Sequence, residues 1–118
     1  MQRFMLKSKI HRATVTDADL HYEGSITIDE ALMEKADFFS YEKVEIYDVS
    51  NGERFSTYVI PGPRDSGVFC LNGAAARKVA KGDLIIIATY VMVDDAEAAN
   101  WNPKKVLLDE NNHVKSIL

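Results

Sequence analysis

Closely spaced turn signals decide most of what this chain can become. Ser50-Asn51-Gly52-Glu53, the run Pro61-Gly62-Pro63-Arg64-Asp65-Ser66-Gly67, Asn72-Gly73 and Gly82-Asp83 divide the middle of the sequence into apolar pieces too short for ordinary helices. The pieces between them (44–49, 54–60, 68–71 and 84–93) are rich in β-branched, aromatic and other apolar residues, which fit the pleated, half-buried surface of a sheet. Asn51-Gly52 supplies the positive backbone angles of a tight hairpin, so 44–49 and 54–60 are predicted to pair. The proline-rich run at 61–67 cannot sustain a ladder and reads as a surface loop. Residues 84–93 are apolar without alternation, which predicts a long strand covered on both faces.

Upstream, 3–16 reads as one or two strands, broken by Asp17-Ala18-Asp19, and 25–28 as a short strand. Asp29 can then cap a short helix over 30–36, because its side-chain oxygen satisfies free backbone N–H groups. A second short helix follows at 74–79. Many short strands with few helices predict a small, mostly-β barrel, although strand order does not follow from this pattern.

The chain has 118 residues, which suits one domain spanning 1–118 and buries roughly two thirds of its unfolded surface. With 47% hydrophobic and 27% charged residues, the composition is that of a folded globular protein and excludes fibrous and disordered classes. A net charge of -4 with scattered Lys and Arg offers no basic field to a nucleic acid. Cys70 is the single cysteine and no signal-peptide run opens the chain, which points to a reducing cytoplasm. The apolar stretch at 84–93 is too short to span a bilayer, and His11, His21, His113 and Cys70 are too widely spaced for a metal cluster.

Four segments carry candidate chemistry: Lys9-Ile10-His11-Arg12-Ala13-Thr14-Val15-Thr16, Tyr22-Glu23-Gly24-Ser25, Asn51-Gly52-Glu53-Arg54-Phe55-Ser56-Thr57-Tyr58 and Asn72-Gly73-Ala74-Ala75-Ala76. Taken singly, each has a plain structural use. Gly24-Ser25 is an exposed turn, Thr57 a strand former, Tyr58 a core aromatic, His11 a structural histidine and Cys70 a small buried hydrophobe. Lys9 and Arg54 are solvated charges in that reading; in the other they match two carboxylates, Arg54 through a bidentate fork. Asn72-Gly73-Ala74-Ala75 offers backbone N–H groups at a turn into a helix, where an anion can bind. Lys9, His11 and Ala13 share one face of a regular strand, whereas Thr57 and Tyr58 point to opposite faces.

Together the four segments resemble the pyruvoyl-dependent aspartate 1-decarboxylases, from about residue 1 to 93, with no signal in the tail after Asp94. The resemblance implies a six-stranded double-psi β-barrel and a cytoplasmic homotetramer with active sites between subunits. It implies self-cleavage between Gly24 and Ser25 into fragments 1–24 and 25–118, with Ser25 becoming a covalent pyruvoyl group. Decarboxylating an amino acid leaves an electron pair that no ordinary side chain accepts, and a ketone conjugated to an amide supplies that sink. The implied reaction turns L-aspartate into β-alanine and CO2 through a Schiff base, for pantothenate and coenzyme A. Ser25 and Tyr58 are then catalytic, Tyr58 as proton donor. Gly24, Ser25 and Thr57 take part in cleavage, Gly24 being unobstructed and free to adopt strained angles. Lys9, His11, Arg54, Thr57, Asn72, Gly73, Ala74 and Ala75 bind substrate, no metal is involved, and a maturation factor is a possible partner. The competing reading is a non-enzymatic β-barrel binding module that is never cleaved.

Overall fold

Strands dominate the computed structural model, which describes Met1–Leu118. They are β1 (Gln2–Thr14), β2 (Asp17–Asp19), β3 (Ser25–Asp29), β4 (Lys43–Asp48), β5 (Arg54–Gly62), β6 (Phe69–Asn72), β7 (Leu84–Asp94), β8 (Lys104–Leu108) and β9 (Val114–Ile117). Two short helices, α1 (Glu30–Ala36) and α2 (Asp95–Ala98), and a 3-10 turn at Gly73–Lys78 complete the fold. No helix is long and apolar enough to cross a membrane.

The strands lie in the order β2-β6-β3-β5-β4-β7-β1-β8-β9. This ladder is open, but Val15 and Thr16 carry β1 directly into β2. Thr16 N donates to Phe69 O at 2.9 Å, and Phe69 N donates to Thr16 Oγ1 at 3.0 Å. The β1–β2 run therefore meets both β7 and β6, and the sheet curls into a small barrel. Its inner face holds Ile10, Ile26, Ile46, Val59, Leu71 and Ile87, all fully buried. The mostly-β barrel expectation is borne out: six runs circle the core (β1 with β2, β3, β4, β5, β6 and β7), and β8 with β9 extends one side.

Local chemistry explains the elements that hold as expected. Asp29 caps α1 by accepting from Ala31 N at 2.9 Å, and the same carboxylate accepts from Asp65 N and Gly67 N, tying down the proline-rich loop. The β4–β5 hairpin forms, yet only Gly52 has positive φ. The loop closes between Asp48 and Glu53, a longer connection than the tight turn expected.

Other expectations are corrected. Asp17-Ala18-Asp19 is itself a strand, parallel to β6. Pro61 and Gly62 continue β5, pairing with Ile28 and Asp29 beyond Tyr58, where β4 has already left; proline is tolerated because one neighbour is missing there. The double coverage of β7 stops at Thr89, since Tyr90 and Met92 are exposed. Arg12 adopts φ +64 at a bulge between the pairs Ile10–Ile87 and Ala13–Ile85, which turns Ala13 into the core, away from the face of Lys9 and His11. The tail is integral to the fold: β8 runs parallel to β1, Trp101 Nε1 donates to Leu6 O, and Asn112 bridges Thr14 to Gly67.

Candidate active site

Ser25 opens β3 opposite Asn72 on β6. It is only 1% exposed, although Tyr22, Glu23 and Gly24 before it are open to solvent. Its hydroxyl donates to Glu23 O at 3.2 Å and accepts from Asn72 Nδ2 at 2.9 Å. Asn72 is also buried, at 3% exposure, and its amide donates to Thr27 Oγ1 at 2.9 Å. The Ser25 hydroxyl is thus fixed by two hydrogen bonds next to the Gly24-Ser25 peptide bond rather than free in a loose turn.

Gly24 itself is relaxed. Its φ lies outside the left-handed region and a Cβ there would meet nothing within 4 Å, so the strain expected of it is absent. The demanding glycine is Gly73. With φ +65, it brings its α-carbon so close to Gly24 that a Cβ would lie 2.8 Å from both Gly24 Cα and Gly24 N. Asn72 precedes the 3-10 turn without capping it, because its side chain is directed to Ser25.

Thr57 and Tyr58 reach the same end of the barrel on β5. Parallel pairing of β3 and β5 begins at Ile26–Val59, so Tyr58 and Thr57 precede the first paired residue of β5 as Ser25 and Gly24 precede that of β3. The two side chains face opposite sides, as alternation requires: Thr57 pairs with the buried Val44, whereas Tyr58 lies on the outer face and its ring stands 6.1 Å from that of Tyr41.

Lys9, His11 and Arg54 are not gathered there. On one side β7, β4 and β5 separate β1 from β3; on the other, across β6, the residue level with Ser25 is Asp19, ten positions after Lys9 and eight after His11. Arg54 sits four residues from Tyr58, roughly 13 Å along the strand. Neither cation has a salt bridge; the Arg54 guanidinium rests over the Tyr47 ring at 3.9 Å. Tyr47 bonds Tyr90 through the two hydroxyls at 2.9 Å, and burial followed by that bond pushes its phenol up to about 12.

His11 lines a depression of about 270 Å³ with Arg12, Leu107, Asp109 and Lys115, facing the tail. Its Nδ1 is buried without a partner. Burial, then Lys9 and Arg12, lower its pKa, so the ring is held neutral. Ala74 and Ala75 border another depression of about 200 Å³ with Phe55 and Ser56. None of the depressions reaches Ser25, whose surroundings are closed within one chain.

Sequence reasoning missed two contributors, Thr27 and Cys70. Cys70 is half-buried rather than packed as a hydrophobe, and its Sγ lies 3.2 Å from Asn72 Oδ1. Their spacing carried a signal, because Thr27 follows Ser25 by two residues and Cys70 precedes Asn72 by two, which places each pair on one strand face.

Known proteins are similar in sequence to this chain along nearly its full length. The sequence model of a family described as aspartate decarboxylase covers residues 1–115. The aspartate 1-decarboxylase of Syntrophus aciditrophicus is 75% identical over 115 residues, covering 98% of this chain and 99% of that protein. That of Syntrophobacter fumaroxidans is 67% identical, covering 98% and 94%, and that of Methylibium petroleiphilum 61% identical, covering 99% and 98%. The similarity therefore runs past Asp94, through the tail that carried no signal, and the chain belongs to the aspartate decarboxylase family.

Proposed function

We propose that this chain decarboxylates L-aspartate to β-alanine and CO2, with a pyruvoyl group that it makes from its own Ser25. The observation that carries the proposal is the buried Ser25 hydroxyl, held by Asn72 immediately after the unobstructed Gly24. Ser25 Oγ attacks the carbonyl carbon of Gly24, the bond from Gly24 carbonyl to Ser25 nitrogen breaks, and the hydroxyl proton passes to that nitrogen, leaving an ester. Loss of the Ser25 α-proton then breaks the Cβ–Oγ bond, giving a Gly24 carboxylate and dehydroalanine. Water displaces the nitrogen as ammonia and leaves the ketone. Thr57 donates a hydrogen bond to the attacked carbonyl oxygen in this reading, a role supported by its position on β5 just before the residues that pair with β3.

Once formed, the pyruvoyl ketone supplies the sink for the electron pair that CO2 leaves behind. Tyr58 lies on the Ser25 side of the sheet and serves as the proton donor to the former α-carbon. Gly73, Ala74 and Ala75, which follow Asn72 and carry little side-chain bulk, bind substrate through their backbone N–H groups in this reading. Lys9 and Arg54, free of salt bridges, hold the two carboxylates, with neutral His11 near Lys9. Because these three lie far from Ser25 in one chain, a second copy supplies them, in a homotetramer with active sites between subunits. Exposed Phe4, Tyr90 and Met92 on β1 and β7 support such an assembly; a monomeric mass by light scattering would remove it. The lone Cys70 fits a cytoplasmic setting, and the product would feed pantothenate and coenzyme A synthesis.

Intact mass of the purified protein tests the proposal. Two fragments, 1–24 and 25–118, with the longer lacking its N-terminal amine, are expected, and Ser25→Ala should remain one chain and release no CO2. A single chain that decarboxylates aspartate would refute the pyruvoyl route. Cleavage that starts only after cell extract is added would reveal a maturation factor.

A further inference from the structure

Cys70 has no part in the reaction above, yet its thiol heads the hydrogen bonds that end on Ser25. Antiparallel pairing sets Ser25 opposite Asn72 and Thr27 opposite Cys70, so the four side chains form a square on the outer face of β3 and β6. Ile26 and Leu71, between them, face the core and are fully buried. Within the square, Asn72 Nδ2 donates to Ser25 Oγ and Thr27 Oγ1, while its Oδ1 is bonded only to the Cys70 thiol, at 3.2 Å.

A primary amide in such a place has two orientations that exchange its oxygen and nitrogen. Reversed, its oxygen would face two hydroxyls able to donate, and its nitrogen would face sulfur, a weak acceptor. The observed orientation needs a donor on the far side of Asn72, and the thiol is that donor. Burial, then the neighbouring Asp17 and Asp19, push the thiol pKa up, so sulfur keeps its proton through the neutral range.

We infer that Cys70 is a positioning residue for self-cleavage: its S–H holds the Asn72 amide with the nitrogen toward Ser25. Presented this way, Asn72 leaves the Ser25 proton directed at Glu23 O and supports the negative charge that grows on Oγ as that proton departs. A reversed amide would instead engage the Ser25 proton and leave Oγ without a donor. The inference rests on cleavage at Gly24-Ser25.

The test follows uncleaved full-length precursor by intact mass over time, for wild type, Cys70→Ser and Cys70→Ala. Cys70→Ser keeps a donor and should cleave within about twofold of wild type, whereas Cys70→Ala should be slower by about two- to tenfold, the worth of one hydrogen bond. A merely structural role for Cys70 would not be rescued by the hydroxyl. Asn72→Asp, with oxygen at both ends of that side chain, should cleave no faster than Cys70→Ala. Wild-type cleavage by Cys70→Ala or Asn72→Asp, or a Cys70→Ser as slow as Cys70→Ala, overturns the inference. Wild type that never cleaves overturns the self-cleavage reading and the inference with it, a result visible before any variant is compared.

Discussion

Replacing Gly73 by alanine should slow cleavage at a bond that Gly73 does not belong to. Two effects of the substitution can be separated. A residue with a side chain at φ +65 costs roughly 1–2 kcal/mol relative to glycine. The added Cβ would also stand 2.8 Å from Gly24 Cα and Gly24 N and 3.0 Å from Tyr22 O, all backbone atoms that cannot rotate aside. Carbon atoms pack at about 3.5 Å or more, so Gly24 must recede by on the order of 0.7 Å, and misplacing reacting atoms by about 1 Å can cost a hundredfold in rate. Gly52→Ala is the matched control, because its φ is +81 and a Cβ there meets nothing within 4 Å. Gly52→Ala should lose roughly 1–2 kcal/mol in denaturant unfolding, and Gly73→Ala at least as much. Only Gly73→Ala should cleave slowly, by about tenfold or more in an intact-mass time course. Equal cleavage rates for the two would show that the approach of Gly73 to Gly24 does not position the scissile bond.

Tyr58→Phe keeps the ring against Tyr41 but removes the transferable proton; the variant should still cleave, while turnover by the mature protein falls about 10²- to 10⁴-fold. Full turnover in a completely cleaved sample would exclude Tyr58 as the donor. Asp48 supplies a pH prediction: burial, then its neighbour Asp83, raise its pKa, and its Oδ2 is buried without a partner. A raised folded-state pKa means that the stabilising contribution is present below the ordinary carboxylate range and is lost as pH rises through the raised value. Asp48→Asn keeps an oxygen for the N–H groups of Ser50 and Asn51 and cannot ionise, so its stability relative to wild type should rise with pH through the carboxylate range. Parallel stability curves from pH 3 to 7 would contradict this.

What sequence could tell depended on how local the cause was. Asp29 before a helical run and Gly52 in a hairpin are legible because the responsible atoms are neighbours in the chain. Thr57 and Tyr58 were placed on opposite faces by alternation alone, and the structure keeps them so. The Arg12 bulge was not legible: its one extra residue on β1 exists only relative to β7, more than 70 positions away, and it decides that Ala13 turns inward while His11 does not. The same holds for Pro61, whose place in β5 depends on β4 having ended, and for β8, whose partner is β1. The four-residue square around Ser25 needed the β3–β6 register. Family resemblance supplied Ser25 and Asn72 without it, but not Cys70 or Thr27.

The double engagement of β1, with β7 on one side and β8 on the other, changes what a cut after Gly24 would mean. Fragment 1–24 would carry β1 and β2, the run that joins the two edges of the curled sheet through Thr16 and Phe69. Such a piece has no route out of the folded barrel without breaking it, so cleavage would leave the molecule in one body. Refolding is another matter. An uncut precursor regains its structure as a single chain, at a rate independent of dilution, whereas the cut form must first find its missing strand by diffusion. Recovery of its barrel would become second order, even before any subunit assembles. Cleavage would thus convert a self-contained fold into a heterodimer of its own pieces, stable once assembled and hard to rebuild at low concentration.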